Sequence, residues 1–239
     1  MVDVADAARM RLRMRVHHLA SDTVLRRVLT TAAPLRRSHV TKLLWRHTGV
    51  LIGSRADLLR MGALLRLAAV SPHSAVFLPL RANPPSPSVA YWADTPDLAD
   101  LLVVRRDIPL RPSAWPAIRA RLRHGPGRGA LTTMVTPAPR RPADHRDRPW
   151  AREWLSVAEH AHTVVLSGSA RALHEAGDEL TLCGNEVAVN RDIRRYGGPA
   201  LLSQFNGPDR HSGRRDASWE CMVLAEEPIF HGKRRSGTA

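Results

Sequence analysis

The chain is poor in lysine, cysteine and aromatic residues. Of its 36 basic residues only Lys42 and Lys233 are lysines. A GC-rich coding sequence favours arginine over lysine, but it does not create an excess of base over acid. Cys183 and Cys221 are the only cysteines and neither lies in a Cys-x-x-Cys motif. A disulfide framework is therefore excluded, and reduced thiols in a cytoplasmic protein are expected. No apolar run approaches the ~18–20 residues of a membrane span, because arginine interrupts each one. No apolar stretch follows the arginines of residues 9–15, so a secretory signal is not expected either. Aromatics make up 5% of the chain but hydrophobic residues make up 44%, enough for a buried core.

What is present is an uneven charge. The formal net charge is +14 over 239 residues. Residues 1–56 hold ten Arg and Lys42 against Asp3, Asp6 and Asp22, a net of +8. Residues 105–128 hold seven Arg against Asp107, a net of +6. Residues 150–239 hold eleven bases against twelve acids, a net of −1. The positive field belongs to two stretches of the first half, and such a field attracts phosphate backbones, anionic surfaces or acidic partners.

Periodicity gives an α/β reading: a mixed sheet flanked by helices. Residues 9–16 read Arg-Met-Arg-Leu-Arg-Met-Arg-Val, the period of a strand with one apolar and one guanidinium face. Residues 22–31 and 38–47 have helical spacing, the second through Val40, Leu43, Leu44 and His47. Strands are expected at 49–52, 75–80, 89–92, 101–104 and 130–135, and helices at 55–69 and 112–123, the latter capped by Ser113. Residues 137–149, rich in Pro and Arg, form the expected linker between a basic N-terminal half (1–136) and a C-terminal half (150–239). In the second half the expectation is helix at 150–160, strand at 162–166, helix at 170–176, strand at 179–183, loop at 196–213 and strand at 219–225.

Residues 47–67 align with 162–182 without a gap. The identical pairs include His47/His162, Thr48/Thr163, Leu51/Leu166, Gly53/Gly168, Ser54/Ser169, Gly62/Gly177 and Leu65/Leu180. With Trp45 and Trp154 preceding the two copies, this reads as two helix–strand–turn–helix halves; chance remains the rival explanation.

Each copy puts Gly-Ser between an apolar run and a helix. Unpaired N–H groups and the helix dipole favour anions there. Gly53, Ser54 and Arg55, with Gly168, Ser169 and Arg171, are thus candidates to hold a phosphorylated small molecule or nucleotide. The competing reading is that both serines are ordinary N-caps, with Asp57 completing a shortened capping box at Ser54. His174, Asp178 and Glu179 are candidates for acid–base or metal chemistry, with a divalent metal ion a possible cofactor. A strand ending in Gly-Ser, a helix, then a strand carrying acids resembles the outline of the polymerase-β-like nucleotidyltransferases. In that resemblance Gly168 and Ser169 match the phosphate-holding turn and Asp178 the first metal-binding acid. Leu180 stands in the second acid's place, and the likeness covers about fifteen residues. His160 and His162, with Cys183 and Cys221, lack structural-zinc spacing.

Two function classes follow. One is a phosphate- or nucleotide-binding α/β protein, of phosphoryl- or nucleotidyl-transfer type if an enzyme. The other is a non-enzymatic nucleic-acid-binding protein that uses its arginine-rich first half. Residues 38–60 also read as helix–turn–helix, which a strand at 49–53 would remove. Tyr91, Trp92 and Trp115, near Arg119, Arg121 and Arg123, could stack bases or simply fill the core.

Overall fold

The structure, a computed structural model, describes residues 9–19, 24–41, 48–85, 89, 97–124, 128–135, 155–189, 200–208 and 218–225. Its strands are β1 (Arg9–His18), β2 (Arg27–Thr31), β3 (Ser38–Thr41), β4 (Thr48–Gly53), β5 (Ser74–Leu78), β6 (Leu98–Arg105), β7 (Arg128–Val135), β8 (Ser156–His160), β9 (Thr163–Gly168), β10 (Ala200–Pro208) and β11 (Ser218–Ala225). The helices are α1 (Arg55–Val70), α2 (Trp115–His124) and α3 (Ala170–Val189). Among the described residues the strands form one mixed sheet in the order β10-β11-β4-β3-β6-β5-β2-β1-β7, and β8 and β9 branch off through β6. The fold is α/β, with the mixed sheet the sequence implied.

Strands of the two halves share this sheet. β6 runs parallel to β9, and β11 runs parallel to β4. The order β3-β4-α1-β5-β6 recurs as β8-β9-α3-β10-β11. In each set two antiparallel pairs flank a helix. The last strand of each set then lies parallel to the second strand of the other.

The sheet has two differently covered faces. Leu29, Val76, Leu101, Val103, Val164 and Leu166 point to the main core, with Leu58, Leu65, Leu173 and Leu180 from α1 and α3 above them. Val28, Phe77, Leu102, Val104 and Val165 point the other way, onto α2 through Trp115, Ile118 and Leu122. Trp115 is fully buried and its ring meets Phe77 at 5.0 Å. It is core, which decides between its two readings.

Helices α1 and α3 lie antiparallel and close. A Cβ added at Gly62 would meet the Gly177 carbonyl at 2.6 Å, one at Gly177 would meet Arg66, and one at Gly184 would meet Leu59 and the Arg55 carbonyl. As numbers rise along α3 the facing numbers fall along α1. Two glycines inside α3 cost about 1 kcal/mol each in helix propensity, and here close packing offsets that cost. Below the crossing lies an apolar cavity of ≈ 30 Å³, lined by Val40, Leu51, Leu65, Leu101, Leu166 and Leu180 among others.

Several expectations are corrected. The helical spacing at 22–31 and 38–47 belongs to strands where it is described, β2 and β3. Within the helix expected at 150–160, residues 156–160 are strand β8. Trp45 and Trp154, which the expected helices would carry, lie outside the described residues. The helix at 170–176 and the strand at 179–183 are one helix. Packing of Gly177 against α1 overrides the stop signal that glycine gives in sequence. The loop expected at 196–213 holds β10. Ser113 lies inside a short 3-10 turn, Pro112–Ala114, that precedes α2, and caps nothing. The linker 137–149, Tyr91 and Trp92 lie outside the described residues.

Candidate functional site

The first Gly-Ser turn is closed by its own side chains. Ser54 is buried, and its Oγ accepts the Asp57 N–H at 3.3 Å. The Asp57 carboxylate does not return to the Ser54 backbone, as a capping box would require. It accepts instead from the Arg37 N–H (3.0 Å), the Ser38 hydroxyl (3.1 Å) and Arg60 Nη1 (3.4 Å). The Ser54 N–H donates to the Arg37 carbonyl. Gly53 packs beneath Leu58 and Met61, where a Cβ would come within 3.0–3.1 Å. A carboxylate already faces the N-terminus of α1, and Arg55 follows the cap in the exposed first turn.

The second turn repeats the cap without the acid. Ser169 Oγ accepts the Ala172 N–H at 3.1 Å, and no acid lies in the first turn of α3. Gly168 packs against Leu155 and Ala172. Arg171, exposed, runs along the helix to Glu175 at 2.9 Å. Because α1 and α3 are antiparallel, the two turns sit at opposite ends of the pair. The sixteen residues of α1 separate them by about 24 Å at 1.5 Å per residue. They do not share one crevice.

The candidate acid–base residues lie along α3. Arg66 of α1 is 2% exposed, and its Nη1 donates to Asp178 Oδ1 at 2.6 Å while Nη2 donates to Thr181 Oγ1 at 3.1 Å. His174 Nε2 lies 3.7 Å from the other Asp178 oxygen. Glu179 lies on the same helix. Asp178 and Glu179 are therefore helical, and the strand of acids that carried the resemblance to polymerase-β-like nucleotidyltransferases is not formed. Arg66 was not singled out in the sequence. Its signal was an arginine in the apolar stretch of α1, four residues after Gly62.

No group of three His, Cys, Asp or Glu among the described residues is placed to hold a metal ion. His160 ends β8, and the chain does not stay extended through His162. Ala161 and His162 have φ of 47° and 59° and form the tight turn between β8 and β9. Cys183 is buried and in no disulfide.

The residues at 9–16 do form the strand the alternation implies. Leu12 and Met14 are buried, while Arg11, Arg13 and Arg15 are exposed. Register places Arg15 opposite Thr30, and Thr30 beside Phe77. The arginine row thus shares the sheet face that α2 covers further along, and the exposed Arg121 of α2 lies on that side too. Arg119 of α2 is engaged differently, donating to Asp100 at 3.2 Å and Thr163 at 3.3 Å. Burial pushes the Asp100 carboxyl up from its ordinary pKa, and its bonds from the Arg81 N–H and Arg119 oppose this only in part. His17, next in the row, contacts the Thr30 hydroxyl at 3.1 Å. Burial, and then the Arg15 guanidinium, hold its pKa below the ordinary histidine value. The strands β7, β1 and β2 contain six Arg and no Asp or Glu. Among the described residues no carboxylate pairs with Arg11, Arg13 or Arg15.

No helix among the described residues is long and apolar enough to cross a membrane. Comparison with protein families, curated proteins and solved structures gives no match.

Proposed function

We propose that the protein binds the phosphate backbone of nucleic acid, without reading bases, through the arginine face of β1. The observation that carries this reading is the exposed row Arg11, Arg13 and Arg15 on strands free of acid. Alternate residues of a strand lie about 7 Å apart, so the row is a line of guanidinium forks along one direction. Guanidinium groups bind phosphate in a bidentate manner. The row supplies affinity and orientation but no base recognition, because no exposed aromatic platform accompanies it among the described residues. The helix–turn–helix version of this function has no support, since residues 48–53 are strand β4.

A small phosphorylated or nucleotide ligand at the Gly-Ser turns, with phosphoryl or nucleotidyl transfer, draws less support. Both serine hydroxyls accept helix N–H groups, both glycines sit against side chains, and the acids lie along a helix.

The test is fluorescence anisotropy of labelled single- and double-stranded oligonucleotides across a salt series. Wild type should bind both, with affinity falling linearly on a log–log plot. The triple variant Arg11→Ser, Arg13→Ser, Arg15→Ser should lose about 2–3 units of that slope, close to one per lost phosphate contact. No binding at low salt, or an unchanged slope in the triple variant, would overturn the reading.

A further inference from the structure

The two sets of elements meet at equivalent positions. Gly62 faces Gly177 across the helix pair, and Arg66 bonds to Thr181. Leu51 and Leu166, and Leu65 and Leu180, line the cavity between them. Each pair is a matched pair in the ungapped alignment. Matched residues thus face one another across the helix pair, and in the recurring element order β10 takes the place of β5.

The equivalence breaks at the outer edges of those two strands. The free side of β5 carries β2 in parallel, paired from Arg27↔Ser74 to Thr30↔Phe77, and β1 and β7 follow. The corresponding side of β10 carries no strand among the described residues. β10 is nine residues long and reads Ala-Leu-Leu-Ser-Gln-Phe-Asn-Gly-Pro, without a charge. Open edges are commonly guarded by charge. The terminal strand β7 begins with Arg128, and β8 ends on Glu159 and His160. Between the irregularity at Leu201/Ser203 and Pro208, this uncharged edge presents a row of N–H and C=O groups that another strand completes.

The charge distribution selects the occupant. β10 lies at one end of the strand order and the basic strands β2, β1 and β7 at the other. Residues 150–239 carry a net of −1 in a chain of +14. The β10 end is where two like-charged copies approach with least repulsion. Two identical edge strands related by a twofold run antiparallel, so their main-chain groups are self-complementary.

We propose that two copies of the chain pair edge to edge through β10, antiparallel, and continue the sheet across the dimer. Both arginine faces then lie at the outer ends of the assembly. The interface stands whether or not those faces bind nucleic acid.

Sedimentation of the full chain across micromolar concentrations tests this, with 26.5 kDa as the monomer mass. A dimer is expected. Along an edge strand successive N–H groups point alternately inward and outward. Of Gln204→Pro and Phe205→Pro, one therefore removes an outward donor and should give a folded monomer with an unchanged circular dichroism spectrum. The double variant Ser203→Lys, Gln204→Lys places charges across the twofold and keeps every N–H. It should raise the dimer dissociation constant at least tenfold, which covers the case in which both proline variants unfold. A wild type that stays at monomer mass, or a dimer that persists at wild-type strength in the lysine variant, overturns the proposal.

Discussion

Replacing Gly62 with alanine tests the helix crossing on which the fold closes. The new Cβ would lie 2.5 Å from Thr181 Oγ1 and 2.6 Å from the Gly177 carbonyl oxygen. The second contact is with backbone and cannot be relieved by a rotamer change. Ordinary van der Waals separation lies almost 1 Å further out, so α1 and α3 must move apart or tilt. A clash with backbone falls in the upper part of the range for overpacking, about 2–3 kcal/mol. Alanine returns about 1 kcal/mol of helix propensity. Close approach should win, because the displacement loosens Leu58, Leu65, Leu173 and Leu180 together. The expected net loss is about 1–2 kcal/mol, or roughly 2–8 °C in Tm for a chain of this size. Gly177→Ala should behave alike, since its Cβ would meet the Gly62 carbonyl at 2.6 Å. The double variant should cost less than the sum, because one displacement relieves both clashes. Urea unfolding followed by circular dichroism reads all three. A Gly62→Ala protein as stable as wild type, or more so, would refute the close crossing.

Three other outcomes are expected. Asp178→Ala should destabilise by about 1–3 kcal/mol in chemical denaturation, below the cost for a fully enclosed pair because water reaches the aspartate; Arg66→Met should cost less, since it removes the buried charge along with its partner. In the β8–β9 turn, Ala161→Gly should stabilise by about 0.5–1 kcal/mol in thermal melts, because φ of 47° strains an L side chain and glycine relieves it. The folded pKa of His17 lies below its ordinary value of 6.5, so its contribution to stability, intact above 6.5, should fade as pH falls toward the folded value; His17→Gln should flatten that part of the stability–pH curve. An NMR titration of the His17 ring should in addition show its pKa rising when an oligonucleotide binds, because phosphate favours the imidazolium.

Local pattern alone determined several features. The alternation at 9–16 names a strand with an arginine face, because a period of two permits no helical solution with one apolar side. An apolar run followed by Gly-Ser and a leucine-rich helix names both strand-to-helix turns and both serine caps, since these are contacts within a few residues. The uneven charge was equally legible. Tertiary structure alone decided the rest. Residues 179–183 are apolar enough for a strand, yet α3 continues through them because Gly177 and Gly184 let α1 approach. Residues 156–160 pair with β9 as a hairpin, a contact their own spacing does not announce. Pairing of β6 with β9 and of β11 with β4 joins residues more than sixty positions apart, and no window of sequence holds both partners. The same long-range pairing sets the two Gly-Ser turns at opposite ends of a helix pair, and it leaves the arginine row of β1 exposed on the sheet face that α2 covers only further along.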